Sequence, residues 1–147
     1  MSAPVLEISG LRVSTSHTEV IHGIDLTVSA GRLSALVGES GSGKTMAARA
    51  VMRLLPAGLR IGGGSIRLAG EEITTASERR MRSLRGPVAG MVFQEPMVSL
   101  NPAITIGSQM AEAIARHQRL PHGTIRSRSI AMLERVLDEP LENADAR

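Results

Sequence analysis

The chain of 147 residues has no cysteine, no tryptophan and no tyrosine, and Phe93 is its only aromatic residue. The absence of cysteine excludes disulfides and thiolate metal sites, and it fits a cytosolic protein. The scarcity of aromatic side chains removes the surface on which single-strand binding proteins stack bases, so the net charge of +3 does not indicate a nucleic-acid partner. We interpret the arginine clusters as solvated helix faces. They comprise Arg79, Arg80, Arg82 and Arg85, and further along Arg126 and Arg128.

Long apolar runs are also missing. No stretch reaches the roughly 18 apolar residues of a membrane span, and no charged segment followed by an apolar one opens the chain. We therefore expect neither a transmembrane helix nor a signal peptide. With 42% hydrophobic residues, the chain has the size and composition of one ordinary domain with a core of its own.

Lysine is the other scarce residue, because Lys44 is the only lysine among 17 basic residues. It lies in the stretch GESGSGKT, which fits the phosphate-binding pattern G-x-x-x-x-G-K-[ST] at every fixed position. The apolar residues 33–37 precede this stretch, and apolar residues at helical spacing follow it as far as Leu55. This strand, loop and helix context predicts a phosphate-binding loop. Its residues are Gly38, Glu39, Ser40, Gly41, Ser42, Gly43, Lys44 and Thr45.

The residue types in this loop suit a nucleoside triphosphate with Mg²⁺. The glycines let the backbone turn and bring its N–H groups close to an anion, and the dipole of the following helix adds partial positive charge. We expect Lys44 to reach the β- and γ-phosphates. The hydroxyl of Thr45 is the predicted protein ligand of Mg²⁺, which prefers oxygen ligands and keeps several waters.

The first part of the chain reads mainly as strands. Alternating apolar residues predict half-buried strands over residues 5–13, broken at Gly10, and around residues 24–28, with a turn over residues 14–19 between them. Residues 33–37 and 88–93 are apolar enough for buried strands, the second ending at Gln94. Glycines 62–64 mark a loop before a strand over residues 65–69.

Helical patterns dominate the later part. Thr75 with Glu78 predicts a capping box that opens a short basic helix with Met81 and Leu84 facing inward. Beyond Pro102 two helices are predicted, with residues 121–123 separating them. One has Ile106, Met110, Ala113 or Ile114, and His117 on one face, and the other has Ile130, Leu133 and Leu137. We therefore divide the chain into a strand-rich nucleotide-binding core over residues 1–102 and a partial helical subdomain over residues 103–147.

Together with GESGSGKT, the segment MVFQEPMVSLNP from Met91 to Pro102 resembles the glutamine loop of a family of transport ATPases. The chain is similar to the ATP-binding subunits of ABC importers for oligopeptides, dipeptides or nickel, over nearly all of its length. The resemblance implies an α/β fold of the P-loop NTPase class, the ABC-type nucleotide-binding domain, here incomplete, with an N-terminal antiparallel β part and a C-terminal helical part.

The resemblance also implies the site and the partners. Residues 38–45 would hold the phosphates of ATP, and Gln94 would touch Mg²⁺ or the attacking water as a catalytic residue. The helices after Gln94 would dock on a membrane-embedded permease, and a second ATP-binding subunit would complete a dimer. The expected location is peripheral, on the cytoplasmic face of the cell membrane.

Two features depart from the family pattern. Members usually place an aromatic residue near Thr15 to stack on adenine, whereas this chain has Ser14, Thr15 and Ser16, so adenine is expected to be held weakly unless His17 or His22 substitutes. The LSGG-type signature, the acidic strand with the catalytic glutamate and the switch histidine lie downstream in the family and are not found in these residues. Asp138 and Glu139 superficially resemble the acidic strand motif, but the helical spacing before them argues against that interpretation.

In the family, central strands of the sheet come from the downstream half. We therefore expect the isolated chain to expose strand edges and an apolar sheet face, and to be poorly stable or prone to aggregate. We expect it to bind Mg-ATP weakly and to hydrolyse it scarcely.

The sequence leaves three candidate functions for the chain. The leading one is the ATP-binding subunit, or its N-terminal portion, of a peptide or nickel ABC importer. The alternative is a truncated, non-catalytic remnant that binds nucleotide weakly or binds only a partner protein. A third is another phosphate-loop enzyme, such as a kinase using Asp138 or Glu139, which the glutamine-loop segment does not favour.

Overall fold

The computed structural model describes residues 3–94 and 100–137, and these form four strands and four helices. In chain order they are β1 (Pro4–Ser14), β2 (Glu19–Ser29), α1 (Lys44–Val51), β3 (Arg60–Leu68), β4 (Glu71–Glu72), α2 (Glu78–Leu84), α3 (Ile106–His117) and α4 (His122–Leu137). The chain divides into two compact units, residues 1–91 and 92–147. The predicted domain division at residue 103 stays a prediction.

The first unit is built on an antiparallel sheet with the strand order β2-β1-β3-β4. A tight turn joins β1 to β2, in which the Thr15 hydroxyl accepts hydrogen bonds from the N–H groups of His17 and Thr18, at 3.1 and 2.9 Å. This confirms the predicted pair of strands and the turn between them. A threonine hydroxyl that accepts from N–H groups two and three residues further along the chain commonly stabilises such a turn.

A glycine contact fixes how β1 and β3 pair. The register between the two strands shifts after Ser9, and Gly10 adopts a φ of +56° in the bulge. Opposite it, Gly64 has a φ of +80°, and a Cβ there would collide with the backbone of Gly10. The prediction that glycines 62–64 form a loop was wrong: they lie inside β3, where the bulge at Gly10 requires a residue without a side chain at position 64. The strand also continues through Gly10 and does not break there.

The core of the first unit lies between one face of the sheet and helices α1 and α2. The side chains that are buried completely or nearly so come from all of these elements and share an aliphatic character. They include Leu11, Val13, Ile66, Ile73 and Met81. Leu84 of α2 is also buried, as predicted for that helix. Its N-cap is Ser77, which accepts from the N–H of Arg80, so the predicted capping box at Thr75 was misplaced by two residues.

Two predicted buried strands are not strands. Residues 33–37 and 88–93 have no strand assignment, and Leu33 is 100% exposed and Val92 is 90% exposed. An apolar run becomes a buried strand only where neighbouring strands form hydrogen bonds with its N–H and C=O groups. The four strands of the described residues pair among themselves, and none of them pairs with either segment.

The second unit contains the predicted pair of helices, α3 and α4. Thr105 caps α3 by accepting from the N–H of Ser108 at 3.2 Å. In α4 the buried residues are Ile125 and Ser129. The Ser129 hydroxyl donates to the carbonyl of Ile125 at 3.0 Å, so the one polar residue among them has a hydrogen-bond partner within the helix. The helices are separated by residues 118–121 and not by the predicted residues 121–123, because α4 begins at His122 and includes Gly123. None of the helices in the described part combines the length and apolar character needed to cross a bilayer.

Candidate functional site

The phosphate loop leads directly into α1, as the sequence predicts. Gly43 is the N-cap of α1 and has a left-handed conformation, with φ 91° and ψ 0°. No side chain caps this helix, and its first turn contains no acidic residue. The first N–H groups of any helix lack an acceptor within the helix. At the start of α1 these donors and the positive end of the helix dipole are therefore available to an anion.

Close packing against the sheet explains why glycine stands at position 43. A Cβ on Gly43 would lie 3.3 Å from Cγ1 of Ile21 and 3.6 Å from the carbonyl oxygen of Val20. Both neighbours belong to the beginning of β2. A larger residue would have to adopt a left-handed conformation and also push against this strand. The start of α1 thereby lies close against the beginning of β2.

The ammonium group of Lys44 lies inside its own loop. Nζ donates to the carbonyl oxygens of Gly38 and Glu39, at 2.7 and 2.6 Å, and to the hydroxyl of Ser42 at 3.2 Å. Among the described residues it forms no ion pair with a carboxylate. A cation surrounded by neutral acceptors keeps its charge uncompensated, which suits a group that binds a polyphosphate.

Thr45, the predicted Mg²⁺ ligand, occupies the second position of α1. Its side chain is exposed, and its hydroxyl makes no hydrogen bond with any residue of the described part of the chain. The oxygen is thus free to ligate a hard cation beside a bound phosphate, as Mg²⁺ sites with few protein ligands require. The described residues contain no cluster of three or more His, Cys, Asp or Glu that could hold a metal by itself.

Gln94 belongs to the second compact unit and is exposed. Its predicted contact with Mg²⁺ or water stays a prediction, and residues 95–99 of the same motif lie outside the described residues. The end of the motif forms a turn that Gln109 of α3 holds. The N–H of Asn101 donates to Gln109 Oε1 at 3.0 Å, and Gln109 Nε2 donates to the carbonyls of Asn101 and Ile104, at 3.0 and 2.9 Å.

An apolar groove of about 410 Å³ runs beside Lys44 in the first unit. Side chains of β1, β2, β3 and α1 line it, together with the segments around Leu36 and Gly90. Two of the sheet residues in this lining, Ile8 and Leu68, are only 3% and 7% exposed, and the predicted exposure of an apolar sheet face stays a prediction.

The sequence comparisons identify the family. Residues 21–145 match the family model described as ABC transporter. The chain belongs to the ABC transporter family. This membership supports the predicted fold class, an α/β nucleotide-binding domain of the ABC type in which the antiparallel sheet precedes the helical part.

Several relatives are transport ATP-binding proteins of ABC systems. The probable D,D-dipeptide transport ATP-binding protein DdpD of Escherichia coli is 39% identical over 92% of this chain and 43% of its own length. The oligopeptide transport ATP-binding protein OppD of Mycobacterium bovis is 41% identical over 91% of this chain and 22% of its own. OppD of Bacillus subtilis is 34% identical, over 90% and 38% respectively. The chain thus spans less than half the length of each of these relatives.

The interpretation of the arginine clusters as solvated helix faces was wrong for Arg85. Arg85 does not lie on a solvated helix face, because only 19% of its side chain is exposed. It follows α2 and hydrogen-bonds to the end of α1 and to Glu78.

Proposed function

We propose that this chain is the ATP-binding part of a subunit that energises an ABC importer of peptides or nickel through ATP binding and hydrolysis. The observation that carries the proposal is the position of Lys44, whose ammonium group lies within the loop at the uncapped start of α1. The names of the relatives, which are dipeptide and oligopeptide transport ATP-binding proteins, support the substrate class.

In the proposed mechanism the chain acts by positioning and by neutralising charge. The main-chain N–H groups at the start of α1 hold the phosphates of ATP, and Lys44 approaches its β- and γ-phosphates. The Thr45 hydroxyl and Gln94 are the residues that would hold Mg²⁺, which when bound neutralises the developing charge on the transferred phosphoryl group. Gln94 orients the attacking water. None of these residues is a strong general base, so we expect sustained hydrolysis to require groups other than these.

The proposed partners are a permease in the membrane and a second ATP-binding subunit. Closure of the two subunits on ATP would be transmitted to the permease through the helical part, at the cytoplasmic face of the membrane. Support comes from the family membership and from the presence of α3 and α4 in a compact unit separate from the one that contains the phosphate loop.

Calorimetric titration with Mg-ATP tests the binding function. Wild type should bind, and Lys44→Ala should lose at least about tenfold in affinity because a charge-assisted contact to phosphate disappears. Thr45→Val replaces the hydroxyl by a methyl group and should reduce the difference in affinity between titrations with Mg²⁺ and with EDTA. Equal binding by wild type and Lys44→Ala would contradict the role of Lys44 on which the proposal rests, and absence of binding by both would favour a remnant that binds only a partner protein.

A further inference from the structure

The end of α1 that is remote from the phosphate loop has an unusual cap. The N–H of Leu54 donates to the carbonyl of Arg49 at 2.8 Å, and the N–H of Arg53 donates to that of Ala50 at 2.9 Å. This pair of bonds is a Schellman motif, in which the residue after the C-cap adopts a left-handed conformation. Here that residue is Arg53, with a φ of +49°, whereas glycine usually occupies the position.

A left-handed arginine is strained, so contacts from outside the helix must hold it. Two arginines provide them. Arg53 Nη1 donates to the carbonyl of Ala76, and Arg85 Nε donates to the carbonyl of Met52 at 2.9 Å while its Nη2 lies 3.3 Å from that of Arg53. Met52 is the C-cap of α1. The guanidinium of Arg85 thus satisfies the last carbonyls of α1 at the negative end of its dipole.

Glu78 holds the guanidinium of Arg85 in that orientation. Its two carboxylate oxygens accept from Arg85 Nη1 at 2.6 Å and Nη2 at 3.3 Å. The hydrogen bond from Arg85 is the main reason that the pKa of Glu78 is lowered. Because 55% of the Glu78 side chain is exposed and only 19% of the Arg85 side chain is, the bonds to the carbonyls matter more than the ion pair itself.

We infer that Arg85 is a positioning residue for nucleotide binding, which fixes the C-terminal end of α1 and thereby the direction in which its N-terminal end presents Lys44 and Thr45. The helix has eight residues, so only about 12 Å separate the end that Arg85 contacts from the end that carries Lys44 and Thr45. Its N-terminal end is fixed by Gly43 against Ile21, and Arg85 fixes the other end. This inference rests on the proposed binding of ATP.

Arg80 offers a matched control on the same helix. It forms the same kind of two-pronged pair, with Glu71, through Nε at 2.7 Å and Nη2 at 2.5 Å. Its other hydrogen-bond partners are Ser77 and Ser83, so it makes none of the contacts to α1 that Arg85 makes. Arg80→Met therefore removes an exposed arginine–glutamate pair from the same region and leaves the end of α1 bonded.

The test compares Arg85→Met with Arg80→Met in the full chain by Mg-ATP titration and by amide hydrogen exchange of α1, well below the melting temperature. We expect Arg85→Met to weaken Mg-ATP binding about tenfold and to speed exchange in α1 by a similar factor, as loss of hydrogen bonds from a charged group suggests. Arg80→Met should stay within about twofold in both measurements. Glu78→Gln, which keeps the carbonyl contacts, should have a smaller effect than Arg85→Met.

Equal affinities for Arg85→Met and Arg80→Met, or unchanged exchange in α1, would overturn the inference. Faster exchange with unchanged affinity would also overturn it, because Arg85 would then be structural only. If Arg85→Met does not fold, Arg85→Lys replaces it, since lysine keeps the charge but cannot bond two carbonyls and a carboxylate in one plane. We expect Arg85→Lys to weaken binding measurably and not to rescue it. If neither wild type nor Lys44→Ala binds nucleotide, the proposed function fails, and the positioning role fails with it.

Discussion

Nζ of Lys44 lies 2.7 Å from the carbonyl oxygen of Gly38, the first residue of the loop that this lysine closes. A second carbonyl, that of Glu39, accepts from the same nitrogen at 2.6 Å. The ammonium group can serve both acceptors because it is compact and its three donors converge on one nitrogen. The loop is therefore fitted to the shape of a lysine as well as to its charge.

This fit predicts that Lys44→Arg cannot replace the native residue. The guanidinium keeps the charge but spreads its donors over a planar fork, so we expect Mg-ATP affinity to fall by about tenfold or more. Arg32→Lys is the matched control, because that side chain is exposed and hydrogen-bonds to no described residue. It should titrate as wild type does. Wild-type affinity in Lys44→Arg would mean that charge alone accounts for the role of Lys44.

Gly64 and Gly63 should respond very differently to alanine. A Cβ at Gly64 would collide with the backbone of Gly10, and its φ of +80° is unfavourable for alanine, so we expect a loss of about 2 kcal/mol or more in the free energy of unfolding. At Gly63 the nearest atom to a new Cβ is Arg12 Cδ at 3.4 Å, which belongs to a flexible side chain. Gly63→Ala should change stability by less than about 0.5 kcal/mol. Urea unfolding measures both, and equal losses would contradict the role of the bulge.

The glycines also show what the sequence could and could not predict. The phosphate loop, α1 and the first two strands follow from local patterns, because the chain itself supplies their hydrogen-bond partners. Glycines 62–64 were mistaken for a loop, since the reason for glycine at position 64 is Gly10, more than fifty positions away in the sequence. Residues 33–37 were predicted as a strand because their composition suits one, but composition does not supply the strands beside it. Arg85 was missed because its partners Met52 and Arg53 are distant backbone carbonyls, which leave no pattern in side-chain types.

Stability should depend on pH through two carboxylates near α2. The pKa of Glu71 is lowered mainly by its hydrogen bond from Arg80, and that of Glu78 mainly by its hydrogen bond from Arg85. A group with a lowered pKa in the folded state stabilises the protein above its unfolded pKa, near 4.5, and this contribution is lost as the pH falls through the folded pKa. We therefore expect Tm to decrease as the pH falls below about 4.5.

The double variant Glu71→Gln, Glu78→Gln tests this source of the pH dependence. It should have a lower Tm than wild type at pH 7 and a shallower decrease below about pH 4.5, because two of the groups that titrate are gone. Glu112→Gln is the control, since Glu112 forms no ion pair with the described residues. Its profile should follow that of wild type. A double variant whose profile runs parallel to wild type would exclude these two carboxylates as the source.

The turn between β1 and β2 predicts weak discrimination between bases. The end of β1 and this turn have Ser14, Thr15 and Ser16 where family members usually have an aromatic residue, and stacking on a ring contributes about 1–3 kcal/mol per base. Without it, the affinities for Mg-ATP, Mg-GTP and magnesium tripolyphosphate should agree within about fivefold, since the phosphates dominate binding. Lys44→Ala should weaken all three to the same degree. A strong preference for ATP would show that another residue, such as His17 or His22, recognises adenine.

Exposed apolar side chains before the phosphate loop predict aggregation of the isolated chain. Leu33 is 100% exposed and Val37 is 88% exposed, so they gain nothing from the fold and are available to other molecules. The double variant Leu33→Ser, Val37→Ser should therefore aggregate less in light scattering while its Tm stays within about 2 °C, because no buried contact is lost. Leu11→Ala, at a fully buried position, should instead lose about 3 kcal/mol of stability and aggregate more. A wild-type chain that melts cooperatively as a monomer would show that these side chains do not drive association.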